Sequence, residues 1–131
     1  MPESPDRLAG DKFLVELTAA QRSLLVTGAW LWFDGPNHGD SPPRAAMFGL
    51  EDGQLVSAEL RRICASLGAC EALTKDDWAR ALAATELGFA SRIYGSSTEW
   101  EIVTGTDEVE TFRLLREVQY ALADVLPRWF P

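Results

Sequence analysis

His38 is the only histidine in the chain, and it stands in a loop between Asp34 and Asp40. These side chains offer a cation one imidazole and two carboxylates. A catalytic zinc site usually draws on more than one histidine or cysteine, so no metal is expected here. Cys64 and Cys70 are six positions apart, which is not a CxxC spacing. Cys64 also falls on an apolar helical face, where a free thiol behaves as a small hydrophobe. Any Ser-His-Asp or Cys-His arrangement would have to use His38. No GxSxG elbow is present, and no GxGxxG or GxxxxGKS/T loop is present to cradle a phosphate. No catalytic residue and no cofactor are therefore expected.

Two other groupings are more suggestive. Between Gly95 and Thr111 the chain carries Glu99, Glu101, Asp107, Glu108 and Glu110 with no basic residue, and Trp100 lies inside the run. An acidic patch bearing a tryptophan suits a basic protein partner, because complementary charge speeds association and tryptophan is common at binding hot spots. The plainer alternative is a solvated surface in which Asp107 and Glu108 stabilise a helix start. The second grouping is Glu86, set among small and apolar residues with Arg92 and Tyr94 nearby in sequence. A partly buried carboxylate needs a partner or a raised pKa. Glu86 thus reads either as a structural group, in an ion pair or hydrogen-bonded to a backbone N–H, or as part of a ligand pocket with Arg92 or Tyr94 near its mouth.

Composition narrows the partners. The net charge of −8 argues against nucleic acid, which requires a basic surface. The longest apolar run, Leu24 to Phe33, is about half of what a membrane span needs, and the N-terminus lacks a signal-peptide stretch. A cytoplasmic protein without a membrane partner is expected. In composition alone, the chain is similar to the small acidic helical immunity proteins and antitoxins of bacteria, which neutralise basic toxins.

The elements that would position these residues are mostly helices. Residues 1–10 read as a loose tail and 11–131 as one globular domain. Thr18 and Thr74 each follow a leucine and should cap helices, the first with Gln21 in the capping-box position. The second helix, running from Thr74 to Tyr94, is apolar or small on nearly every side, as expected of a buried helix. Trp78, Leu82, Thr85, Phe89 and Ile93 form its stripe, and Leu73 is placed to staple Trp78. Ser57 to Leu67 places Leu60, Ile63, Cys64 and Leu67 on one face, with Gly68 closing the helix. The last helix should start at Thr106. Its inner side would hold Phe112, Leu114, Leu115, Val118, Leu122, Val125 and Leu126. Asp34 to Pro43 is turn-rich, and a short helix capped by Ser41 should follow it.

The fold expected is mainly α, an irregular bundle of four main helices near 18–33, 57–67, 75–93 and 107–126, packed around the third. A short β pair between 13–17 and 100–103 is expected at one edge. Three functions follow: a non-enzymatic module binding a basic protein through Glu99, Trp100, Glu101, Asp107 and Glu108; a small-molecule-binding or hydrolytic domain around Glu86; or a homodimer built on the last helix and the Trp129-Phe130 tail.

Overall fold

A computed structural model of the chain describes residues 11–51 and 53–126. The N-terminal tail and the Trp129-Phe130 segment lie outside these residues. In chain order the elements are β1 (Lys12–Phe13), α1 (Ala19–Trp30), α2 (Pro42–Met47), α3 (Val56–Gly68), β2 (Leu73–Thr74), α4 (Lys75–Ala90), a 3-10 turn (Ser97–Glu99), α5 (Trp100–Thr104) and α6 (Glu108–Leu122). The described residues are mainly helical with one short two-stranded antiparallel sheet, and the helix packing is compatible with a bundle.

The two threonine caps form as the sequence predicts. Thr18 accepts the backbone N–H of Gln21 at 3.1 Å, and the Gln21 side chain returns the bond to the Thr18 N–H at 3.0 Å. Thr74 accepts the N–H of Asp77 at 3.1 Å. The backbone dihedrals of the two caps agree within a degree (φ −67°, ψ 163° and φ −68°, ψ 162°). Thr74 is also the last residue of β2, so strand and helix join without a loop. Lys12 lies opposite Thr74 and Phe13 opposite Leu73. The Trp78 indole N–H donates to the Phe13 carbonyl at 2.9 Å, which fixes the entry of α4 against the sheet.

The expected partner of the first strand was wrong. Residues 100–103 are helical and form most of α5, and β1 pairs with β2 instead. Alternation in WEIV reflects a single buried residue, Trp100, beside exposed Glu101 and Ile102.

α4 shares the centre of the molecule with α1. Each of these two helices packs against the other and against both α3 and α6. Their closest approach is at Gly28, where an added Cβ would stand 2.1 Å from Thr85 Oγ1 and 2.7 Å from Thr85 Cα. Glycine is required there because the backbone of one helix nearly touches the other. The Thr85 hydroxyl is satisfied internally, donating to the Ala81 carbonyl at 3.0 Å. α1 ends at Trp30, earlier than expected, and the following turn swings Trp32 fully into the core. Its indole N–H donates to the Ala84 carbonyl at 3.0 Å, and Phe48 meets its ring edge-on at 5.1 Å. Trp30 and Phe33 remain half-buried, with the Arg61 guanidinium over Phe33.

α4 ends at Ala90, so Ile93 is exposed and does not extend the stripe. The chain turns back immediately, and the Ser96 N–H donates to the Gly88 carbonyl at 2.7 Å. α3 buries Val56, Leu60, Ile63 and Leu67, while Cys64 is half-buried and directs its thiol at the Val26 carbonyl. Gly68 stays within the helix, and the left-handed residue that follows is Cys70 (φ +58°). α6 is capped by Asp107 rather than Thr106, and Gly105 (φ +73°) makes the bend before it. Its inner face is Thr111, Leu114, Leu115, Val118 and Leu122; Phe112 points outward.

One ionic cluster crosses the bundle. Asp77, 5% exposed, takes both terminal nitrogens of Arg62 at 2.8 and 2.9 Å and stands 3.4 Å from Arg80. Arg80 in turn donates to the carbonyls of Phe48 and Gly49. Asp77 therefore links α3, α4 and the turn after α2.

Candidate functional site

The acidic run surrounds the bend between α5 and α6. Trp100 is 1% exposed and belongs to the core, which corrects its expected place on the surface. Its indole N–H donates to Thr111 Oγ1 at 2.9 Å, and that hydroxyl donates to the Asp107 carbonyl at 2.8 Å. Phe89 meets the Trp100 ring edge-on at 5.3 Å. An amphipathic ring with its one donor satisfied inside has no polar reason to reach water.

The acids divide into two kinds. Glu101 accepts the N–H of Glu108 at 2.7 Å, and Asp107 accepts the N–H of Glu110 at 2.9 Å. Both satisfy free donors of the first turn of α6, and both favour its positive end. Glu110 is paired with Arg113, whose hydrogen bond holds the Glu110 carboxyl below its ordinary pKa. The side chains of Glu99 and Glu108 are exposed and make no hydrogen bond or ion pair among the described residues. These two acids are free to meet a partner.

Beside them the surface is apolar. Ile102 is 86% exposed, Val109 77% and Phe112 51%. Tyr120, 82% exposed, continues the line. Val109, Phe112, Arg116 and Tyr120 follow the i, i+3, i+7, i+11 spacing that places side chains on one helix face. α6 thus carries two apolar faces, one covered by the bundle and one open.

Glu86 leads to a second place. Its carboxylate accepts the Gln119 side-chain N–H at 2.7 Å, and Gln119 Oε1 accepts from Arg116 at 3.0 Å. This chain of bonds runs from α4 to the outer side of α6, where the Arg116 guanidinium lies 4.9 Å over the Phe112 ring. Arg116, Gln119 and Tyr120 stand at the rim of a groove of about 470 Å³. Leu82 from α4 and Leu122, Ala123 and Leu126 from the end of α6 complete its lining. Glu86 is half-buried and reaches this groove only through Gln119. Arg92 and Tyr94 are exposed beyond the end of α4 and do not line it. The sequence reading missed Arg116 and Gln119. Their spacing of three on a helix was the available signal, but no feature of the sequence pairs Gln119 with Glu86 across the fold.

The three groups around His38 are drawn apart. Asp34 pairs with Arg61 at 3.3 Å, and His38 Nδ1 lies 2.9 Å from the Gly35 carbonyl. Asp40 accepts both the N–H and the hydroxyl of Ser57, at 2.9 and 2.7 Å, and the Ser57 backbone bond holds its carboxyl below the ordinary pKa. Among the described residues no three His, Cys, Asp or Glu side chains gather in a way that could hold a metal ion. No helix among them is long and apolar enough to cross a membrane. No family model, curated protein or solved structure matches the chain.

Proposed function

We propose that this chain is a non-enzymatic module that binds a basic protein at the bend between α5 and the start of α6. The observation that carries the proposal is the second, uncovered apolar face of α6, with Val109 and Phe112 exposed beside the free acids Glu99 and Glu108. Apolar side chains supply the contact energy at such a surface, and the charge around them selects and steers the partner. Trp100 supports the surface from beneath rather than touching the partner.

A second copy fits this face less well. A net charge of −8 on each copy opposes pairing, whereas a basic partner is attracted.

The test compares two double variants with the wild type. Val109→Asp with Phe112→Asp removes the apolar contact, and Glu99→Lys with Glu108→Lys reverses the charge. All four positions are exposed, so each variant should stay folded, with a loss of about 1 kcal/mol where Phe112→Asp removes the ring under Arg116 or Glu108→Lys puts a cation at the start of α6. Capture from cell extract at low salt should recover a basic protein with the wild type. Each variant should weaken binding of that protein by about tenfold or more. A captured protein that binds all three forms equally would sink the proposal.

A further inference from the structure

The groove at the other end of α6 has different chemistry. Its floor is aliphatic, made by Leu82, Leu122, Ala123 and Leu126, and its rim carries the cation of Arg116. In this acidic chain Arg61, Arg62, Arg80 and Arg113 are each paired with a carboxylate. Arg116 bonds the neutral amide of Gln119 instead and, like Arg22, Arg44 and Arg92, makes no ion pair among the described residues; it alone of these lines the groove. The nearest acid in that chain of bonds, Glu86, is occupied by the other end of the same amide. Gln119 thus stands between the Glu86 carboxylate and the Arg116 guanidinium, bonded to both. The guanidinium is held over Phe112 with most of its five N–H donors unspent.

We propose that this groove binds a small amphipathic carboxylate, a medium-chain fatty acid being the simplest example, with its chain along the leucines and its head on Arg116. Charge complementarity selects the occupant. A basic peptide would bring its cations to Arg116, and a phosphate dianion would find one cation where two are needed. A monoanion with an unbranched apolar tail matches both the single guanidinium and the aliphatic floor. The volume of about 470 Å³ is within the usual range for small-molecule sites, roughly 300–1,000 Å³. The groove uses none of Glu99, Glu108 and Val109, but the two surfaces meet at Phe112, whose ring lies under the Arg116 guanidinium.

Titrating the full chain with decanoate, below the concentration at which it forms micelles, tests the assignment. Decanol serves as the uncharged probe of equal length. Saturable decanoate binding, tighter than that of decanol, is the expected result. Arg116→Gln should weaken decanoate by about tenfold or more, the value of a charge-assisted hydrogen bond, and leave decanol unchanged. Ala123→Trp, at an exposed position, should fill the groove and abolish binding of both probes without lowering the melting temperature. Equal affinity for decanoate and decanol, unaltered binding to Ala123→Trp, or no saturable binding of decanoate would each overturn it.

Discussion

Single residues set the terms of stability at two places. Trp100 is enclosed, bonded to Thr111 and stacked edge-on against Phe89. Trp100→Ala should cost about 3–5 kcal/mol, as expected for removing a buried tryptophan, and would be measured by urea unfolding. Loss of partner binding in that variant would report unfolding rather than a lost contact. Asp77 is the second place. Burial alone would raise its pKa, but the hydrogen bond and charge of Arg62, with Arg80 behind it, leave the pKa lowered from 3.8. A carboxylate whose folded pKa is depressed contributes stability above its unfolded value, and that contribution is lost as pH falls through the folded one. Acid should therefore erode the protein below about pH 4, and Asp77→Asn should flatten that limb. At pH 7 the substitution should cost about 1–2 kcal/mol. This is less than for a fully enclosed pair, because the Arg62 side chain is 49% exposed. An unchanged acid limb in Asp77→Asn would show that another carboxylate governs it.

At the scale of elements, the decisive contact is that of α1 on α4. Gly28→Ala places a methyl group against both the hydroxyl and the backbone of Thr85. It should destabilise by about 1–3 kcal/mol, the cost of overpacking. Thr85→Ala relieves only the hydroxyl contact, so the double variant should recover part of that loss. Full additivity of the two changes in urea unfolding would place the contact elsewhere. This interface also shows where sequence reading succeeded and failed. The caps at Thr18 and Thr74 were legible because their partners Gln21 and Asp77 are local, as is the one-sided pattern of α3, whereas the start of α6 was placed one residue early, at Thr106 instead of Asp107. The small-residue character of α4 correctly pointed to burial, but nothing local named Gly28 as its partner. Phe112 fits the helical period well enough to read as core, and only the packed molecule shows it outside. Trp100 was misread for the opposite reason. Its acidic neighbours suggested a surface, yet they are spent on the start of α6 while the ring turns inward. Glu86 is half-buried as expected, but its partner is neither an ion nor a backbone N–H: it is the side-chain amide of Gln119, 33 positions away.

For the whole molecule, the charge of −8 bears on association more than on folding. If the α5–α6 bend docks a basic protein, the association rate should fall steeply between low and high salt, while the dissociation rate changes little. Stopped-flow measurements with the captured partner separate the two rates. A salt-insensitive on-rate would mean that the apolar side chains act without electrostatic steering. The groove near Arg116 should behave differently, because its ligand carries the same sign as the protein. Added salt would screen the repulsion from the acidic surface, so decanoate binding should weaken far less than partner binding.

The connection between α1 and α3 has a separate consequence. Asp40 grips the first turn of α3, Arg44 holds the Asn37 carbonyl, and Arg80 reaches from α4 to Phe48 and Gly49. A stretch that looks like the longest linker in the sequence is thereby sewn down at several points. Its backbone amides should exchange with solvent as one group, when the hydrogen bonds to α3 and α4 break together, rather than by independent fraying of each residue. For engineering, this makes the stretch a poor place to splice in a tag or to open new chain ends, despite its glycines and prolines. Within the same connection, the exposed positions Gln54 and Leu55 just before α3 are the more permissive point of entry.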